Sequence, residues 1–195
     1  MKYRAVLFDF DYTLGDSTKG IVLSANAALQ RMGLEAQSEE AIRRTVGLSL
    51  RDTYRALTGD ENPQAADSFA AFFREKADQV MAESAVLYPS VPPLLKALRS
   101  QGLRTGVVTT KFRYWILQIL GKYGLTDSVD CIIGAEDVKE EKPSPEGILL
   151  ALERLGMRKE EILYVGDSAV DAAAAERAGV AFAGVLTGTT PEEAL

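Results

Sequence analysis

The strongest constraint on the fold is the spacing of five short apolar runs along the chain. Ala5–Phe10, broken only by Asp9, comes first, and Leu103–Thr109, Asp130–Gly134, Ile162–Gly166 and Val180–Val185 follow. Each is rich in branched residues and is followed by a turn or a polar group, the pattern of strands buried on both faces. Helical stretches near 114–123, 145–155 and 169–178 lie between the last four. This βαβ succession predicts a parallel sheet covered by helices on both faces. The interval from Gly15 to about Ser84 breaks the rhythm, with no convincing strand and with Ala-rich helical patterns at 25–32 and 67–82. It is too long for a simple crossover. The expected organisation is an α/β core of residues 1–14 and 85–195 with a small all-helical domain, residues 15–84, inserted after the first strand. Because alanine favours helices and permits close packing, a blander reading is that these helices only pad the core. The stretch from Thr187 to Leu195 reads as a loop opening a helix, with Pro191 suited to its first turn.

Composition enters where chemistry is to be excluded. The 195 residues contain no histidine, which removes imidazole general bases, His-ligated metals and every Ser-His or Cys-His arrangement at once. Acid-base work falls to carboxylates, Lys, Tyr or Cys. The single cysteine, Cys131, permits neither an intrachain disulfide nor a thiolate zinc cluster and fits a reducing compartment. A formal net charge of −6 argues against a nonspecific nucleic-acid surface but leaves room for a local basic pocket. The opening MKYRAVLFDFD meets acids before it forms a signal-peptide core, and no apolar run approaches the roughly 18 to 20 residues of a membrane span. The expected setting is the cytoplasm, with no nucleic-acid or membrane partner.

Two acidic blocks fall at predicted strand ends. Asp9 and Asp11, flanking Phe10, lie two residues apart, so an extended backbone would aim both carboxylates at one centre roughly 7 Å apart. Gly166, Asp167, Ser168 and Asp171 follow Ile162–Val165. Active residues of open parallel sheets gather beyond the strand C-termini where the strand order reverses, which brings the two blocks to one crevice. Several carboxylates together repel unless a hard divalent cation joins them, and Mg²⁺ is the economical choice. Asp167 or Ser168 also suits a simple helix cap before 169–178, a role that by itself would not require Asp171. Thr109 and Thr110 supply hydroxyls and amides able to hold an anionic oxygen, or only a turn. Lys142, opening KPSP after the acidic stretch 136–141, is placed either to neutralise phosphate or to balance its acidic neighbours.

Together, DFDYTLGDS at Asp9–Ser17, VVTT at Val107–Thr110, KPSP at Lys142–Pro145 and GDSAVD at Gly166–Asp171 resemble the four ordered motifs of haloacid dehalogenase-like hydrolases. The nearest subgroup is the phosphoglycolate phosphatase-like branch, and the long helical interval resembles that family's cap. The resemblance implies a Rossmann-like sheet in the order 3-2-1-4-5, counting the five strands above, with Mg²⁺ where strands 1 and 4 part. It implies that Asp9 is nucleophile and metal ligand, and that Asp11 is the general acid-base whose backbone carbonyl also meets the metal. Thr109 would position the phosphoryl group, Lys142 would stabilise it, Asp167 would bind the metal, and Asp171 would bind or orient the metal site. It also places a specificity region near Arg43 and Arg44, making Arg44 and Thr110 candidate substrate contacts. Two positions depart from the family: Tyr12 stands where Gly is usual, and Thr110 where many of the nearest subgroup carry Asn.

The implied activity is Mg²⁺-dependent hydrolysis of a small phosphate monoester, phosphoglycolate-like or a sugar phosphate, through an aspartyl-phosphate, by a monomer or homodimer. A phosphomutase would keep the same acids but exclude water and hold an acceptor, and a pyrophosphatase would change only the leaving group. Dehalogenation and a phosphorylated signal receiver fit the Asp9/Asp11 pair less well, and a noncatalytic interaction protein is the reading from a different class.

Overall fold

The computed structural model describes residues 3–194. The chain divides into two compact units, one formed by the residues up to Asp16 and from Leu87 onward, the other by Ser17–Val86.

The first unit is built on strand β1, Ala5–Phe8, whose four residues are all buried. A two-residue strand, β2 (Gly15–Asp16), precedes the helical unit, which holds α1 (Thr18–Arg31), α2 (Glu39–Arg43), α3 (Leu50–Thr58) and α4 (Pro63–Ser84). The chain then runs through β3 (Val86–Leu87), α5 (Val91–Ser100), β4 (Arg104–Val108), α6 (Arg113–Lys122), β5 (Cys131–Ile133), α7 (Glu146–Leu155), β6 (Ile162–Gly166), α8 (Ala169–Ala178) and β7 (Ala181–Gly184). Five strands form one sheet in the order β5-β4-β1-β6-β7, and all four pairings are parallel. This numbering differs from the expected 3-2-1-4-5 because β2 and β3, which the sequence patterns do not reveal, take numbers while pairing only with each other. Helix α5, with prolines at its first turn, also went unread, as did the short capped helices α2 and α3.

Register explains how β1 comes to lie at the centre. Ala5 is paired with Arg104 on one side and Ile162 on the other, and Phe8 with Val107 and Val165. Ala5 and Leu7 join Val108, Ile133, Ile162, Tyr164 and the inner residues of α7 and α8 in one buried cluster. Val6 and Phe8 point the other way and are buried too, so both faces of the sheet are covered, as an all-apolar central strand requires. From β1 the chain extends the sheet through β4 and β5, then crosses back to β6 and β7, so the strand order reverses about β1. The crevice of such a sheet opens beyond the C-terminal ends at that reversal.

The helical unit is held by α1 against α4. Ala25, Ala28, Ala66 and Ala77 are fully buried, and small side chains let two helices approach closely. Phe69 stacks between Tyr54 and Phe73, with ring centroids 5.5 and 6.0 Å apart. Asn62 caps α4 by accepting from the amides of Gln64 and Ala65, and Pro63 occupies the first helical position, where its missing N–H costs nothing. Among the described residues no helix is long and apolar enough to cross a membrane. The expected terminal helix near Pro191 is one 3₁₀ turn, Glu192–Ala194.

Candidate active site

Strand β1 ends at Phe8, before the first acidic pair, which corrects the expectation that Asp9 and Asp11 are alternate residues of one extended strand. Asp9 still donates its amide to the Val165 carbonyl at 2.8 Å. The backbone then folds tightly: the Phe10 carbonyl accepts from Leu14 and Gly15 at 2.8 and 3.1 Å, and Tyr12 and Gly15 are joined by a 2.7 Å bond. Tyr12 takes φ 59°, the left-handed region that a bulky residue enters at a cost of about 1–2 kcal/mol. Burial of its ring, 3 % exposed, offsets that cost. The Thr187 hydroxyl donates to the Tyr12 carbonyl and pins the turn from the far end of the chain. Both carboxylates end up buried, Asp9 at 3 % and Asp11 at 8 % exposure.

Lys142, expected from the KPSP motif, lies on Asp9. Its ammonium donates to Asp9 Oδ1 at 2.7 Å, to Asp171 Oδ1 at 2.6 Å and to the Tyr164 hydroxyl at 3.2 Å, which accounts for all three of its N–H groups. The loop that delivers it carries a cis Lys142–Pro143 peptide. Tyr164 was not singled out from sequence. Its hydroxyl lies 2.9 Å from Asp171 Oδ1 and 3.0 Å from the Val108 carbonyl, tying β6 to the end of β4. The available signal was one hydroxyl on an inward position of an otherwise aliphatic strand. Asp171 Oδ2 accepts from the Ser168 amide and hydroxyl at 3.2 and 2.5 Å, while Ser168 Oγ accepts from the Asp171 amide. This is a reciprocal capping box at the start of α8. The Asp171 carboxylate is thus held at both oxygens, by Lys142 at Oδ1 and by Ser168 at Oδ2, in a position that orients Lys142.

Asp9, Asp167 and Asp171 each offer an oxygen, all within 4.8 Å of one another. Asp167 accepts a long bond, 3.3 Å, from the Thr13 hydroxyl. The backbone closes over it at Gly188, where a Cβ would stand 1.9 Å from Oδ2. The charges report a surplus of acid. Burial, with the charges of Asp9 and Asp171, pushes the Asp167 carboxyl up to about 7. Burial raises Asp9 to about 6 although Lys142 pulls the other way. Asp171 faces the same burial but is held below the ordinary range by Lys142, Ser168 and Tyr164. Burial also opposes the charge on Lys142, and the carboxylates of Asp171 and Asp9 more than restore it. Buried carboxylates with one cation among them can hold a divalent metal, and oxygen donors suit a hard ion.

A pH dependence follows. Because the folded-state values of Asp9 and Asp167 lie above the usual 3.8, the native state binds more protons than the unfolded chain. Stability is therefore fully present below about pH 4 from these groups and is lost as pH rises through about 6 to 7. In chelator the melting temperature should fall between about pH 5 and 8, and added Mg²⁺ should raise it more at the upper end, where protons no longer compete. Equal Mg²⁺ shifts at both ends would contradict the assignment.

The remaining candidates are placed as follows. Thr109 is buried, bonded through its amide to the Ile133 carbonyl at 3.0 Å, and its hydroxyl accepts from the Lys111 amide at 3.2 Å. Thr110 is half-buried in the bend after β4. Arg44 caps the end of α2 in the helical unit, largely exposed, with its guanidinium on Glu40 at 3.1 Å. Sequence reasoning missed Lys111. It is 6 % exposed, and its ammonium meets Asp11 Oδ2 at 2.9 Å. The only signal was its position directly after the threonine pair.

Gly166 turns the chain between β6 and this cluster. A Cβ there would stand 2.5 Å from both Cβ and Cγ of Asp171, which is fully buried. Gly166→Ala should cost about 1–3 kcal/mol and lower turnover by displacing the Asp171–Lys142 pair. Urea unfolding and initial rates check both, and an unchanged midpoint would show that α8 shifts freely.

Comparison with known proteins gives consistent matches across nearly the whole chain. A family model described as haloacid dehalogenase-like hydrolase matches residues 6–185. The pyrophosphatase PpaX of Bacillus pumilus (strain SAFR-032) is 35% identical over 192 residues, covering 98% of this chain and 87% of that protein. A phosphoglycolate phosphatase of Salmonella typhimurium is 32% identical over 213 residues, covering 98% and 84%. Among solved structures, a haloacid dehalogenase-like hydrolase from Bacteroides fragilis is 43% identical, with a TM-score of 0.95 over 99% of this chain and 92% of its own.

Proposed function

Since this chain belongs to the haloacid dehalogenase-like hydrolases and is a phosphatase of the phosphoglycolate-phosphatase-like branch with a helical cap, we propose that it hydrolyses a small phosphate monoester through an aspartyl-phosphate on Asp9. The observation that carries this reading is the buried contact of Lys142 with Asp9 at 2.7 Å, beside the Asp167 carboxylate. In this reading a carboxylate oxygen of Asp9 attacks phosphorus in line with the ester oxygen. The new O–P bond forms as the ester P–O bond breaks, its electron pair leaves on the departing oxygen, and Asp11 delivers a proton there. Water then attacks the phosphoryl group, the Asp9 O–P bond breaks, and Asp11 takes the proton of that water. Lys142, with all its donors directed by Asp9, Asp171 and Tyr164, keeps the nucleophile in place and offsets the charge of the incoming phosphate. Thr109 holds a phosphoryl oxygen with its hydroxyl.

Asp9 and Asp167 would hold Mg²⁺ by their side chains and Asp11 by its backbone carbonyl, with Asp171 orienting the site through Lys142. Bound there, Mg²⁺ supplies positive charge to the phosphoryl oxygens. The helical unit, Ser17–Val86, acts as the cap, and Thr110 is a candidate contact to the non-phosphate end of the substrate. A small phosphorylated metabolite in the cytoplasm fits this chemistry.

A second reading keeps the same steps with phosphate as the leaving group, favoured by the 35% identity to a pyrophosphatase. Phosphate release from phosphoglycolate, pyrophosphate, nucleotides and sugar phosphates, with and without Mg²⁺, tests both, with Asp9→Asn as background. Mg²⁺-dependent release from a monoester supports the proposal, and release from pyrophosphate alone favours the second reading. Formation of an isomeric sugar phosphate in place of free phosphate would make the enzyme a mutase. A folded enzyme that releases phosphate from none of these compounds would overturn the proposal.

A further inference from the structure

We infer that Lys111 and Asp11 together form the leaving-group side of the site, with Lys111 binding a second negative charge on the substrate, a carboxylate or phosphoryl group next to the ester oxygen. The inference rests on the phosphatase reading and names its substrate class.

Among the described residues, the buried lysines are Lys142 and Lys111. Lys142 spends its three N–H groups on Asp9, Asp171 and Tyr164, so it serves the nucleophile and the transferring phosphate. Lys111 is directed elsewhere. Its ammonium meets Asp11 Oδ2 at 2.9 Å, and its backbone amide is fixed to the Thr109 hydroxyl at 3.2 Å. The ammonium lies over the Trp115 ring, 6.0 Å from its centroid.

Asp11 Oδ1, the other oxygen of that carboxylate, is buried with no hydrogen-bond partner. A buried charged oxygen left bare costs about 1–3 kcal/mol or more, so such groups normally face something that binds there. An acid that protonates the departing oxygen must approach it to about 3 Å. With Oδ1 in that role, and Lys111 held 2.9 Å from Oδ2 across the width of the carboxylate, the leaving oxygen lies at most about 8 Å from the Lys111 ammonium. A group one or two bonds beyond the ester oxygen then falls within reach of a flexible lysine head. A neutral hydroxyl there accepts a hydrogen bond from the lysine, whereas an anion adds the attraction of opposite charges in a buried site and binds more strongly. Glycolate and phosphate as leaving groups share this feature, which unites the two readings of the substrate under one residue.

The test is a ratio of specificities, which is independent of the fraction of enzyme that folds. Phosphoglycolate is compared with 2-hydroxyethyl phosphate, the same skeleton with an alcohol in place of the carboxylate, and pyrophosphate is measured alongside. The parent should favour phosphoglycolate or pyrophosphate over the neutral ester in kcat/KM. Lys111→Gln should cut that preference by about thirtyfold or more, chiefly through KM, and Lys111→Arg should recover most of it. An active parent with no such preference, or a preference that Lys111→Gln leaves unchanged, overturns this inference alone. A parent that releases phosphate from none of the three compounds removes the phosphatase reading, and this inference with it.

Discussion

Lys142→Met is expected to lower kcat at least about a thousandfold, because one residue both orients Asp9 and opposes the charge that develops on the phosphoryl group. Its stability effect should be large as well. Asp9 and Asp171 are 3 % and 0 % exposed, and removing their shared cation leaves two carboxylates without a counter-ion. Breaking such a buried pair costs about 3–5 kcal/mol. Part of that cost should vanish in mild acid, since Asp9 already sits at about 6 and takes up a proton readily. Urea unfolding of the variant should therefore show its greatest deficit at neutral pH and a smaller one near pH 5. Turnover close to that of the parent would remove Lys142 from the chemistry.

Asp9→Asn should separate activity from stability. The amide cannot form the acyl phosphate, so turnover should fall by about four orders of magnitude or more. The fold should not suffer in proportion. Burial disfavours the charged form of Asp9 strongly enough to hold its carboxyl up at about 6, so in chelator above that pH the folded state carries a cost that neutral asparagine removes. Lys142 keeps its 2.6 Å bond to Asp171. In chelator near pH 8 the variant should melt at or above the parent, and the difference should shrink towards about pH 4 as the parent takes up its proton. Mg²⁺ should stabilise the parent more than the variant. A variant that loses stability at every pH would show that the carboxylate is needed for folding, contrary to the electrostatics.

Much of this protein was legible before any coordinates. Apolar strand runs separated by helical patterns predicted the parallel sheet because a strand buried on both faces has no alternative to a continuous apolar stretch. Ala5–Phe8 and Ile162–Gly166 fit that rule. The helical interval declared itself by lacking such runs. Strands β2 and β3 did not, since two residues are too few to show a period, and the prolines opening α5 obscured its start. The strand end at Phe8 was missed because Asp9 and Phe10 continue the apolar alternation, while the turn that stops the strand depends on bonds to Gly15 and Thr187.

What the sequence determined by itself was the set of candidate groups for the chemistry. With no histidine and one cysteine, acidic residues at two strand ends and one lysine opening a proline-bearing loop left little other chemistry open. Only the tertiary structure decided how those charges are shared. It set Asp171 on Lys142, Tyr164 and Ser168, gave Asp167 a long bond from Thr13, and set Lys111 against Asp11. Residue order can bring acids to the same end of a sheet. The role each one takes depends on burial and on contacts of a few ångströms between groups up to 154 residues apart, and no local pattern along the chain encodes these.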